Sequence, residues 1–116
     1  MYIDGFVLAV PTKNREAYLA LAEKCLPVFK EFGALRVVET WGVDVPEGKV
    51  TSFPMAVKCA KDETVVFSWV EWPSKQARDK GVAQCMEKLD RMLSGDNMPY
   101  DGKRMIVGGF EAILEG

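Results

Sequence analysis

Thr64-Val65-Val66-Phe67-Ser68-Trp69-Val70-Glu71-Trp72, followed by Pro73-Ser74, is the stretch that decides the fold. β-Branched and aromatic residues fill it, so it reads as a strand that Pro73 closes. Val65, Phe67 and Trp69 alternate with Val66, Ser68 and Val70, so apolar residues occupy both faces. A sheet with one face in water shows cleaner alternation than this. Both faces of this sheet are therefore expected to be covered.

Working toward the C-terminus, Ser74 is a helix cap, and the helix it starts runs to about Leu93. Val82, Cys85, Met86, Leu89, Met92 and Leu93 form its apolar stripe. Gly81 costs this helix ~1 kcal/mol relative to alanine unless close packing uses the missing side chain. Ser94-Gly95-Asp96-Asn97 ends the helix, Met98 to Lys103 forms a loop, and Arg104 to Ile113 reads as the last strand. Toward the N-terminus, Asp62-Glu63 is a turn, and Val50 to Lys61 is interrupted by Phe53-Pro54, with Met55 to Cys59 read as a short strand segment. Asp44 to Lys49 is turn chemistry, and Ala34 to Val43 is a strand rich in Val, Thr and Trp. Tyr18, Leu21, Ala22, Cys25, Phe29 and Phe32 lie at helical spacing between a cap at Asn14 and a stop at Gly33. Pro27 removes the hydrogen bond to the Glu23 carbonyl, so a kink is expected there. Tyr2 to Val10 is the first strand.

The order β-α-β-β-α-β predicts an α+β, ferredoxin-like fold: a four-stranded antiparallel sheet with two helices on one face. The apolar second face then predicts a homodimer that pairs two sheets face to face, a dimeric α+β barrel. With 116 residues and no repeat or linker, the chain reads as one domain over residues 1–116.

Composition removes several function classes. Lys plus Arg is 15 against 17 for Asp plus Glu, which leaves no basic excess for phosphate neutralisation, so no nucleic-acid partner is expected. No run approaches the ~18 apolar residues of a membrane span, and no signal peptide opens the chain, so no membrane partner and a cytoplasmic location are expected. There is no histidine, which removes the commonest metal ligand and general base. Three scattered cysteines give neither a disulfide framework nor a zinc site. Neither a metal nor a cofactor is expected.

The remaining chemistry lies in the strands. Glu39 and Trp41 share parity in one strand, and Trp69 and Glu71 share it in another. Together they could set two carboxylates beside indoles in one concavity. A carboxylate in an apolar wall has a raised pKa and can move a proton near neutral pH, so Glu39 and Glu71 are the catalytic candidates. The competing reading pairs each with Arg36, Arg104 or Lys49 as a structural ion pair. Asp44 and Lys49 flank a turn where Lys49 could hold an anionic ligand, though a solvated turn charge reads as well. Ser68, Trp69, Trp41 and Arg104 complete the candidate binding set. Buried Ser68 bonded to backbone, and indoles serving as core, are the plainer alternatives. Gly108 and Gly109 mark a close backbone approach, which helix or dimer packing explains better than a ligand does.

Several runs carry a likeness: Asp4-Gly5-Phe6-Val7, Phe29 through Glu39, Asp44 through Thr51, Val66 through Glu71, Pro73-Ser74-Lys75, Met98 through Ile106, and Gly108-Gly109-Phe110-Glu111. They resemble the YbaA-like bacterial family of unknown function over nearly the whole chain. The resemblance implies the dimeric α+β-barrel fold and says little about activity. Lys80-Gly81, in an Ala-rich part of the second helix, and Trp72, at a tyrosine-like position, depart from the pattern the resemblance implies, so a pocket contact near Trp72 is expected to differ. The wider superfamily includes cofactor-free monooxygenases, small isomerases, haem-degrading proteins and chlorite dismutases, an analogy of fold alone. The expected function is a small-molecule pocket in each subunit, serving a cofactor-free oxidation or isomerisation. The alternative is a non-catalytic metabolite-binding or regulatory dimer.

Overall fold

The computed structural model describes residues Met1–Gly116. Its strands are β1 (Tyr2–Pro11), β2 (Arg36–Glu39), β3 (Glu63–Trp72) and β4 (Ile106–Glu111). The helices are α1 (Arg15–Glu31), the single turn α2 (Phe53–Ala56) and α3 (Lys75–Met92). All neighbours pair antiparallel in the order β2-β3-β1-β4. This order, with α1 and α3 packed together over one face, is the ferredoxin-like arrangement predicted above.

The centre of the sheet is the β1–β3 ladder, which runs unbroken from Tyr2 opposite Trp72 to Pro11 opposite Glu63. Phe6, Leu8 and Val10 face the helices from β1; Val66, Ser68, Val70 and Trp72 face them from β3. Val28, Ala34, Val70, Trp72, Cys85 and Leu89 form the largest buried cluster. Cys25, Phe29 and Phe32 of the α1 stripe read from sequence pack around it, although the one α1 residue fully inside is Val28, which that stripe omits. On α3, Cys85 and Leu89 are buried, whereas Met92 of the predicted stripe is exposed.

Gly81 and Trp72 lie against each other. A Cβ at position 81 would stand 2.9 Å from Trp72 Cη2 and 2.6 Å from the Phe32 carbonyl oxygen. The missing side chain makes room for a fully buried indole. Below the indole, Trp72 Nε1 donates to Asp4 Oδ2 (3.0 Å), and Arg78 donates from Nε and Nη2 to Asp4 Oδ1 (2.9 Å each). The Arg78 guanidinium also lies 5.1 Å from the centre of the Tyr2 ring. Tyr2 and Arg78 both crowd over Gly109, so this glycine serves packing on the helix side.

Three local expectations are corrected. Strand β2 is four residues long rather than spanning Ala34 to Val43, because past Glu39 only one-sided bonds to β3 persist, from the Thr40 and Gly42 amides to the carbonyls of Phe67 and Val65. Phe53-Pro54-Met55-Ala56 is a helical turn rather than part of a strand: Ser52 Oγ accepts from the Met55 amide (3.1 Å), and Pro54 sits in the first turn, where its missing N–H costs nothing. Asn14 occupies the cap position of α1 without a capping bond, since its Nδ2 donates instead to the Pro99 carbonyl (3.0 Å). Helix α1 itself runs through Pro27 to Glu31. Ser74 and Gly33 do as predicted: Ser74 Oγ accepts from the Ala77 amide (3.1 Å), and Gly33 ends α1 at φ +108°.

The second face of the sheet is covered in part by the chain itself. After α2, Val57 is buried against Ala9 and Val65, and Phe53 stands edge-on to Phe67 at 5.9 Å. The rest of that face is open: Phe67 is 43% exposed, Ile106 44% and Phe110 61%. Phe110 lies across Gly5, whose absent side chain leaves room for the ring.

Candidate functional site

The helices do not close evenly on the sheet. At the Trp72 end the layers are in contact; toward Glu39 they part around a cavity of about 580 Å³. The sheet supplies Phe6, Leu8, Val37, Glu39 and Ser68; α1 supplies Tyr18, Leu21, Ala22, Cys25 and Phe29. Helix α3 and the chain beyond it close the far side with Met86, Met98, Tyr100 and Met105. The loop carrying Met98 and Tyr100 is fastened to α1 by the Asn14–Pro99 hydrogen bond and by Lys24–Asp96 at 3.8 Å.

Within this apolar wall stands one polar group of three. Tyr18 donates its hydroxyl proton to Glu39 Oε1 at 2.6 Å, and the Ser68 hydroxyl stands beside both. Desolvation by the apolar surroundings raises the Glu39 pKa above its ordinary value, with Tyr18 and Ser68 opposing as hydrogen-bond partners. Burial also raises the pKa of Tyr18, and the bond to Glu39 raises it further, so the phenol keeps its proton. Burial, followed by the Glu39 charge, raises the Cys25 thiol in the same way. The arrangement is a carboxyl group held by a phenol and open to a ligand, a general-base geometry in a site of low polarity.

The candidates read from sequence are divided by the sheet. Glu39 and Ser68 face the cavity together because the β2–β3 register sets them opposite each other. Glu71 lies three residues from Ser68 and therefore projects from the other face. There it accepts from Trp69 Nε1 (2.9 Å) and pairs with Arg36 at 3.8 Å, the structural reading weighed above. The expected single concavity with two carboxylates is thus not formed. Trp69 is among the cavity's lining residues, but its ring lies on the open side, 5.8 Å from that of Phe67. Trp41 shares the face of Glu39 but packs on Leu8, Val10 and Val66 beneath the Arg15 guanidinium, outside the cavity.

Arg104 is not among the lining residues and is held by other partners. Its Nη1 and Nη2 form a fork on Glu63 at 2.7 Å each, Nη1 also donates to the Lys58 carbonyl (2.9 Å), and Nε donates to Asp101 (3.0 Å). That fork holds the Glu63 carboxyl down to about 2. Asp44 and Lys49 are exposed on their loop and are not among the lining residues. Sequence reasoning placed Tyr18 only in an apolar stripe and gave Tyr100 no role. The available signal was a phenol at the N-terminal end of the α1 stripe, where a polar tip meets an apolar face. No three His, Cys, Asp or Glu side chains stand together as a metal site. No helix is long and apolar enough to cross a membrane.

Known proteins give this architecture a lineage. A crystal structure of a dimeric ferredoxin-like protein from an uncultured marine organism superposes with a TM-score of 0.66, covering 99% of this chain and 96% of that one at 11% identity. That likeness supports the fold. Uncharacterized protein YbaA of Escherichia coli K12 is 55% identical over 114 residues, covering 98% of this chain and 97% of its own, and YbaA of Shigella flexneri matches equally. The family model for proteins of unknown function termed DUF1428 matches residues 1–102. The chain belongs to the DUF1428 family, as a YbaA-like protein with the ferredoxin-like fold.

Proposed function

We propose that this protein is a homodimer in which each subunit binds a small, largely apolar molecule between its helices and its sheet, and that Glu39 moves a proton on that molecule. The Tyr18–Glu39 pair in the apolar cavity carries the reading. Tyr18 fixes the carboxylate through one oxygen and leaves acceptor capacity for a ligand. The apolar walls desolvate this carboxylate in part and raise its pKa, which makes it a stronger base than one in water. The proton goes to Glu39 and returns to a second atom of the same molecule, an isomerisation. Alternatively the deprotonated ligand gives an electron to dioxygen, a cofactor-free oxidation in which dioxygen is the oxidant.

The dimer rests on the open sheet face, where Phe67, Ile106 and Phe110 are exposed together, and on the dimeric description of the structural neighbour. A patch of this kind is unusual on a monomer. In the second reading the same cavity serves a non-catalytic metabolite-binding or regulatory dimer; the Tyr18 hydrogen bond that occupies one Glu39 oxygen favours it.

The test follows deuterium uptake by NMR, with a panel of apolar ketones and imines incubated in deuterium oxide. The enzyme reading expects exchange at the carbon next to the C=O or C=N group with the wild type, and none with Glu39→Gln, which still binds. Binding without exchange in the wild type selects the second reading. Absence of both binding and exchange overturns the two together.

A further inference from the structure

The wall of the cavity has an asymmetry of charge. Lysine and arginine make up 15 residues of the chain, yet none lines the cavity. The charged side chains that do are Glu39, at the exposed end of β2 with one oxygen on Tyr18, and Asp90 of α3, also exposed. Lys24, on the neighbouring turn of α1, points away to Asp96. An anionic ligand would meet a carboxylate and no counterion. The remaining wall suits a cation instead. Phe6, Phe29, Tyr18 and Tyr100 present ring faces and edges, and Met86, Met98 and Met105 present polarisable thioethers.

We propose that the ligand of this cavity is a lipophilic organic cation, a protonated amine or imine on an apolar body, with its N–H donated to Glu39 and its carbon skeleton against the aromatic and methionine wall. This deepens the reading of the cavity as a ligand site and rests on it. It does not depend on whether turnover follows. The arriving cation restores to Glu39 the stabilisation that the apolar walls withhold, which is why the bare carboxyl is shifted upward. A volume of about 580 Å³ accommodates a molecule of drug-like size. The chemistry is also compatible with proton transfer, since a carbon next to a protonated imine is acidic enough for a carboxylate to deprotonate.

Three probes of one shape separate the claims: 4-phenylbutylamine, 4-phenylbutanol and 4-phenylbutyrate, titrated by calorimetry into the wild type, Glu39→Gln, Asp90→Asn and the cavity-filling Ala22→Phe. The amine is expected to bind at least tenfold more tightly than the alcohol, and the carboxylate more weakly than either. Glu39→Gln should reduce the amine to the level of the alcohol without changing the alcohol, which also shows that the variant is folded. Asp90→Asn should leave most of the preference in place, and Ala22→Phe should weaken amine and alcohol alike. An alcohol that binds as tightly as the amine and is lost in Ala22→Phe overturns the cationic class and keeps the cavity. A preference for amine that survives Glu39→Gln also overturns the class, because it then reflects only the general negative charge of the protein. Failure of all three probes to bind the wild type overturns both the class and the cavity reading.

Discussion

The two faces of this sheet are built from the same strands and have opposite characters. On the helix-covered face, polar groups occur as satisfied sets: Asp4 with Arg78 and the Trp72 indole, and Glu39 with Tyr18 and Ser68. On the open face the side chains are mainly aromatic and aliphatic, and the polar pair Glu71–Arg36 lies at the β2 edge. The difference follows from what each face packs against. Groups beneath helices lose water and must find partners, whereas the open face keeps its solvent until something large and apolar removes it. Substitutions on the covered face should therefore act on folding, and those on the open face on assembly.

The sharpest break of that comparison is Asp4→Ala. It leaves the Arg78 guanidinium and the Trp72 N–H without their acceptor and should cost about 3 kcal/mol or more in urea unfolding. Gly81→Ala comes next. Helix propensity alone favours alanine by about 1 kcal/mol, but the new Cβ would stand 2.6 Å from the Phe32 carbonyl oxygen and must displace the buried Trp72. A net loss of about 1–2 kcal/mol is expected, and a gain would show that α3 rides more loosely on the sheet than the packing indicates.

Two glutamates should give pH dependences of opposite sign. Glu63 is held down to about 2 by Arg104, so its contribution is complete above its ordinary pKa and is lost as pH falls from about 4.5 toward about 2. The urea midpoint of the wild type should fall across that window more steeply than that of Glu63→Gln. Glu39 is raised, so its ionisation opposes folding: stability is lost as pH rises from its ordinary value through its shifted one. Glu39→Gln should accordingly unfold at a higher urea concentration than the wild type at pH 7, with the difference vanishing in acid. The smallest effect on the fold itself is expected from Phe110→Asp, within about 0.5 kcal/mol for a surface change of this kind. The same variant should convert a dimer into a monomer by sedimentation with an unaltered circular dichroism spectrum; a dimer that persists would place the interface elsewhere.

Much of the fold was legible because its signals are local. The strand from Thr64 to Trp72, the Ser74 cap and the Gly33 stop each follow from a few adjacent residues, and the structure keeps all three. The misreadings arose where a distant partner intervened. Asn14 looks like a cap until Pro99 is beside it, and the extended look of Met55 to Cys59 ignores the turn that Ser52 and Pro54 begin. Of the site, Glu39 and Ser68 were named from strand context, while Tyr18 and Tyr100 were not, since only the meeting of α1 with the loop after α3 brings them to the carboxyl.

The sequence by itself determined the order of elements, the two-sided apolar strands and the lack of histidine, because periodicity and composition are properties of the chain alone. The tertiary structure decided which carboxylate shares a wall with which hydroxyl. Parity within a strand says which residues share a face, but only the register between β2 and β3 and the helices above them determine that Glu39 lines the cavity beside Ser68 while Glu71 pairs with Trp69 and Arg36 on the other face.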